Sequence, residues 1–392
     1  MRIGLKAIVA IIGLGLVLGA CKKEEKKDTA EATANKLAKA LGDKLKKAVD
    51  NAGKKLNDKR PGLPGDAYEK LIVGLAVCKL TDRGYIDYKC QAYKDLKAAR
   101  SRNTSIKDFA GMSSKLGIKH LTHENATVRF YAAGLLKSFF GAKGGSVEAV
   151  LKAAPNEKNP FVLGKMIYAV GSQAKKNEDV AKFVMASADH AHAHVRTQAL
   201  SYLAYNPDMP GVYEKFVEKI EKDADAEVRG YACRYAGRLE DERLLPLYKK
   251  LTKDAEKDPK LYAKCMRGLF EMWNTFLGNK KPSKKAYKLT LARMNDKPRT
   301  KNRPPWIMMS DFGRVPKSLP AWFKKKAVTK MLLSVGGDPT ARWLARTGAV
   351  RALESLKAGD ELKKLKKKLT GKTDFDNKNV LKAVERALAK VG

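Results

Sequence analysis

The chain is predicted to be all-α, a solenoid of stacked helix pairs, on three observations. Val128, Val162, Val195, Val228 and Leu261 recur at intervals of 34, 33, 33 and 33 residues, a period that marks stacked-helix repeats. Apolar or small residues follow each of them at offsets 4, 7 and 8, which is one face of an α-helix. Strand-like alternation is nearly absent across the 392 residues.

The chain begins Met-Arg-Ile-Gly-Leu-Lys, then runs apolar from 7 to 20 and ends Leu18-Gly19-Ala20-Cys21. A basic start and a short apolar run describe an export signal, shorter than the roughly 20 residues a spanning helix needs. The end of the run resembles the bacterial lipobox, which implies cleavage before Cys21 and lipid on that cysteine. Residues 1–20 are then the signal peptide, and the lipid holds the protein to one leaflet. Lys22 and Lys23 follow instead of the Asp that favours inner-membrane retention, so the outer membrane is the expected address.

Residues 21–65 form a Lys/Ala-rich tether. Leu37, Leu41, Leu45, Val49, Ala52 and Leu56 recur at helical spacing, which fits either a basic helix on an anionic membrane surface or a solvated tether helix. Arg60-Pro61-Gly62-Leu63-Pro64-Gly65 ends it. Residues 66–117 read as an N-terminal helical hairpin that caps the array, since terminal units of solenoids are atypical. Four cysteines remain beside Cys21, and an even number in an exported chain suggests bridges. Cys78 and Cys90 flank a turn holding Asp82, Arg83 and Gly84, and are expected to staple the hairpin. Cys233 and Cys265 lie in successive inner helices whose axes are about 8–10 Å apart. Either a bridge or two buried thiols fits there.

The repeats occupy 118–278. Asn125, Asn159, Asp225 and Asp258 stand three positions before the recurring residue, with His192 the exception. Asn and Asp cap helices because a short side-chain oxygen accepts an orphan N–H of the first turn. Second amphipathic stretches lie between, at 180–188, 212–222 and 244–251. Near the C-terminus, in 321–392, the register returns twice: Asp338 precedes Ala341, Ala345, Gly348 and Ala349, and Asn377 precedes Val380, Val384, Ala387 and Leu388.

Arg129, Arg196, Arg229 and Arg342 sit directly after the recurring position. The pattern Asp/Asn-x-x-Val-Arg-x-x-Ala resembles HEAT repeats over 118–391, interrupted once. The resemblance implies antiparallel helix pairs stacked into a right-handed superhelix. It also implies arginines laddered to acids of the next repeat. Leu163, Tyr262 and Leu381 depart from the arginine, which puts the ladder in doubt in those repeats. What the likeness implies is a scaffold or binding surface.

The interruption is 279–320, with Pro282, Pro298, Pro304, Pro305, Pro316 and Pro320. Ten Lys or Arg and one acid, Asp296, lie between Lys280 and Arg303. Such a stretch in a compact array is either functional or unstructured. As a partner-binding segment it offers Lys280, Lys281, Lys284, Lys285, Arg299, Lys301, Arg303 and Trp306, with Tyr287 as further aromatic surface.

The formal net charge is +38, and loss of Arg2 and Lys6 with the signal leaves +36. Such a field attracts anionic partners without specifying a fold. An exported, lipid-anchored chain meets no chromosomal DNA, so no nucleic acid is expected. The expected partner is a protein or an anionic envelope component: phospholipid headgroups, lipopolysaccharide phosphates, acidic wall polymers or an acidic protein. The basic run at 363–368 reads as a solvated helix face. His190, His192 and His194 alternate, which is wrong for one helical face and lacks a ligand shell. No metal or cofactor is expected. No nucleophile elbow, P-loop or paired zinc-ligand motif occurs, and Asp311-Phe312-Gly313 lacks the rest of a kinase's motif set. Although HEAT-like folds include alkylpurine DNA glycosylases and bilin lyases, the reading is of a non-enzymatic protein.

Overall fold

A computed structural model describes residues 62–103, 108–137, 145–274, 281–312, 320 and 322–391. The chain divides after Pro61, and everything below concerns the second unit, 62–392. The signal peptide, Cys21 and most of the tether lie outside the described residues.

Among the described residues the regular elements are helices. The first, α1 (Gly65–Val73), and α2 (Gln91–Asn103) enclose a turn in which Leu80 and Ile86 form an isolated antiparallel bridge. Cys78 and Cys90 are joined across that turn. Tyr68, Ile72, Leu96 and Phe109 fill a separate small core that closes on Val128, Tyr131 and Leu135. The Tyr68 hydroxyl meets that of Tyr131 at 2.9 Å, which satisfies both phenols inside it.

Helices then alternate between two series. One comprises α3 (Phe109–His120), α5 (Ser146–Ala153), α7 (Glu178–Ser187), α9 (Val212–Lys222), α11 (Leu245–Leu251), α13 (Lys284–Asn295), α15 (Lys325–Gly336) and α17 (Gly359–Leu369). The other, inner series comprises α4 (Ala126–Leu135), α6 (Pro160–Val170), α8 (Ala193–Leu203), α10 (Ala226–Ala236), α12 (Pro259–Glu271), α14 (Trp306–Phe312), α16 (Trp343–Ser355) and α18 (Phe375–Val391). Each inner helix packs on the next inner helix in chain order. No described helix is long and apolar enough to cross a membrane.

The sequence register explains why the inner helices start where they do. Asn125, Asn159, Asp225 and Asp258 each accept first-turn N–H groups through the side chain. His192 does the same with its ring, accepting from the His194 N–H. The histidine in the capping column is therefore a cap of different chemistry. Val128, Val162, Val195 and Val228 are fully buried, while Leu261 is half-buried and packs at the core's edge.

Arg129 grips Glu157 with Nε and Nη2 at 2.7 and 2.9 Å, and Arg196 grips Asp223 likewise at 2.8 and 2.7 Å. Each arginine also donates to two carbonyls just ahead of its own helix. Each carboxylate accepts in addition the N–H of its own repeat's cap residue, Asn159 or Asp225. Arg229 makes only the carbonyl half of this pattern among its described bonds, to Asp223 and Ala224. The acid one repeat on, Glu256, instead accepts from Thr300 and Asn302.

The register at the C-terminus needs correcting. Ala341, Ala345, Gly348 and Ala349 are buried as expected, but α16 starts only at Trp343. Arg342 is exposed at its N-cap, and Arg346, one helical turn on, is the buried arginine, donating to Gly336 O and Asn377 Oδ1. Asp338 does not cap this helix, because it is held by Lys297, Arg299 and Thr340. The last helix departs the other way and begins early, at Phe375, where the Asp374 carboxylate receives the Asn377 N–H.

The proline-rich stretch supplies two helices. Ser283 caps α13, whose Ala286, Tyr287, Thr290 and Met294 are buried at helical spacing. Through α14 the inner series continues from α12 to α16.

Cys233 and Cys265 are bridged between α10 and α12, their Cα atoms 5.0 Å apart. Ordinary helix spacing leaves this pair marginal. The approach is closer here because Gly237 and Gly268 put backbone against backbone, a Cβ on Gly237 falling 1.9 Å from Gly268 O. The bridge closes a loop of 32 residues, for which the chain-entropy relation gives about 3–4 kcal/mol of stability. Replacing both cysteines by alanine is expected to remove that amount, read from urea midpoints of the two proteins without reductant.

Candidate functional site

An open groove of 1630 Å³ lies between the stapled turn, α2 and the exposed side of α4, α6 and α8. Its position follows from the helical register. The core face of each inner helix takes offsets 0, 4, 7 and 8, leaving a second stripe free. On α4 that stripe carries Phe130 and Gly134 with Lys137 just beyond the helix end, on α6 Gly164, Lys165 and Tyr168, and on α8 His194 and Gln198. Helix α2 adds Tyr93, Lys97 and Arg100, spaced for one face.

Two glycines let these side chains lie flat. A Cβ on Gly134 would stand 3.1 Å from Lys165 Cε, and one on Gly164 would stand 2.7 Å from His194 Nε2. The turn is seated by a third. Gly84 has φ +72, and its missing Cβ would fall 2.5 Å from the Phe161 ring, so glycine meets both a backbone and a packing demand there. Tyr85 and Tyr88 at the rim are largely exposed.

Lys137 and Lys165 meet at one ring. Their ammonium nitrogens lie 3.7 and 4.4 Å from the Tyr168 ring centroid, and that of Lys165 also lies 5.1 Å from the centroid of Phe130. Lys137 donates to the Tyr168 hydroxyl as well. Cations are stabilised over aromatic faces in this way. Burial, then the charges of Lys137 and Arg100, pushes the Lys165 ammonium below its ordinary pKa. Burial followed by His192 and Lys165 does the same to His194, favouring its neutral ring. Asp82 is the one carboxylate among the described lining residues.

Farther along the inner helices the cations are matched. Arg234 and Arg238 pair with Glu271, Arg267 with Asp311, and Lys264 with Glu227. Among the described ion pairs, the groove's Lys137 and Lys165 have no such carboxylate partner. Sequence reading placed partner contact on the inner-helix face and the basic stretch, and missed this groove. The signal available was the Lys165–Tyr168 spacing beside Lys137, which has meaning only once α4 and α6 are side by side.

The residues expected to bind a partner fare unevenly. Lys280 lies outside the described residues. Lys281, Lys284 and Lys301 are exposed, as is Trp306 at 45%. Lys285 pairs with Glu242 at 2.8 Å. Arg299 is not a surface group: it is buried, donates to Ser334 and pairs with Asp338. Arg303 donates to Lys253 O. Counting charge within the stretch overlooked the acids and carbonyls that reach it from elsewhere. The histidines serve locally, His190 and His192 each accepting a backbone N–H two residues on.

No protein-family model and no curated protein matches this chain.

Proposed function

We propose that this chain is a lipid-anchored, non-enzymatic protein of the bacterial envelope, a right-handed HEAT-like solenoid of antiparallel helix pairs that binds another envelope component. The partner is a protein or an anionic surface, held on the inner-helix face and under the stapled turn. The groove between the turn and α4–α8 is the observation that carries this reading, because it gathers positive charge and exposed aromatic rings in one concave place. Aromatic groups beside cations are what binding surfaces are enriched in. The chained packing of the inner helices and the two Arg–carboxylate rungs support the HEAT-like part. The lipobox-like ending at Cys21 and the outer-membrane address rest on sequence.

A photo-crosslinking residue at Tyr88, on the groove's rim, tests the reading in intact cells against one at Lys367 on α17. Adducts with an envelope component are expected from Tyr88 and not from Lys367. Equal yields from both, or none from Tyr88, would remove the groove as the binding surface. Labelled palmitate is expected on the wild-type chain and not on Cys21→Ser. An unlabelled wild type would remove the anchor.

A further inference from the structure

The two groove lysines are an electrostatic anomaly. Both sit on the ring of Tyr168, so their nitrogens are no more than about 8 Å apart. Neither has a carboxylate partner among the described ion pairs, whereas Arg129, Arg196, Lys215 and Lys264 on other helices all do. The flanking stretches 104–107 and 138–144 contain no Asp or Glu. Arg100 on α2 is near enough for its charge to weigh on Lys165. Like charges gathered in a partly desolvated place raise the energy of the empty site, and an entering anion relieves it.

The geometry also limits the anion. A singly charged carboxylate between the two lysines leaves one positive charge unmatched, while a phosphate monoester carries nearly two negative charges. Its several acceptor oxygens suit two ammonium groups and the Tyr168 hydroxyl together. Phe130 and Tyr168 provide an apolar wall beside that point, and the groove, at 1630 Å³, is larger than a phosphate alone requires. We infer that the Lys137–Lys165–Tyr168 cluster binds the phosphate monoester of an organic ligand whose body lies along the aromatic wall. The ester comes from a lipid headgroup or from a soluble molecule. This rests on the reading that the groove is the binding surface.

The test uses the full chain at low salt with phenyl phosphate, followed by calorimetry, and with vesicles of phosphatidic acid diluted in phosphatidylcholine, followed by co-sedimentation. Lys137→Met with Lys165→Met keeps the aliphatic stems and removes the charges. It is expected to weaken binding by about tenfold or more, against a change within about twofold for Lys264→Met. Unchanged circular dichroism shows that the variants remain folded. Binding of phenyl phosphate assigns a soluble ester, and binding of vesicles alone assigns a lipid headgroup; both support the site. Absence of both, full binding by the double variant, or equally tight binding of benzoate or a glutamate-rich peptide overturns it. If Tyr88 crosslinks in the wild type while neither phosphate probe binds it, the groove remains a partner surface and only the phosphate assignment falls.

Discussion

Gly237→Ala is expected to lower stability by about 3 kcal/mol, the upper part of the range for overpacked cores. The added Cβ would meet Gly268 O at 1.9 Å and Gly268 Cα at 2.9 Å. These are backbone atoms, so no rotamer change relieves the clash, and α10 must move away from α12. That movement also strains the neighbouring Cys233–Cys265 bridge. The check is a urea midpoint together with a thiol titration under native conditions, where the wild type shows neither cysteine as reactive. Gly74→Ala is the control. A Cβ there meets nothing within 4 Å and the backbone is right-handed helical, so it is expected to be neutral or slightly stabilising. Equal midpoints for Gly237→Ala and wild type would show that the two helices tolerate a wider spacing.

Asp338→Ala is expected to cost about 3–5 kcal/mol, as breaking a buried ion pair does when one charge is left behind. The charge left is Arg299, whose side chain is 1% exposed and whose Nη1 is 3.0 Å from the carboxylate. Lys297, at 58% exposure, contributes little of this. Burial alone would raise the Asp338 pKa, but hydrogen bonds from Lys297, Thr340 and Arg299 override it and hold the carboxyl far below its ordinary 3.8. A group depressed in the folded state stabilises fully above its unfolded pKa and loses that contribution as pH falls towards the folded value. The wild type is therefore expected to lose its advantage over Asp338→Ala below about pH 4. Urea midpoints of both proteins between pH 7 and 2 check this, and a difference independent of pH would show that the pair contributes nothing as a charge.

The helices were legible because their signals are local. A cap such as Asn125 and the buried Val128 lie within one turn, and the same spacing repeats at Asn159 and Val162. α13 carried an equally local signal in Ala286, Tyr287, Thr290 and Met294, hidden by attention to the prolines and charges around it. The Arg342 assignment failed for a non-local reason. Arg342 and Arg346 are four residues apart, and which one enters the array depends on where α16 begins. The presumed cap, Asp338, is occupied by Lys297 and Arg299, some forty residues back in the chain. The groove was illegible for the same reason, because it exists only where the turn at Gly84 rests on Phe161.

The rungs at Glu157 and Asp223 give the array unequal joints. Each acid serves two masters, the arginine of the preceding inner helix and the N–H at the cap of its own, so α4 with α6 and α8 with α10 are tied end to end. Between α6 and α8 the arginine is replaced by Leu163 and the acid by His190, leaving side-chain packing and the bond from the Tyr202 hydroxyl to Tyr168 O, at 3.0 Å, to set the angle. A spring made of such links bends more readily where no ion pair crosses the link. Gly164 on one side of that link and His194 and Gln198 on the other line the groove, so a small change of curvature there opens or narrows the groove.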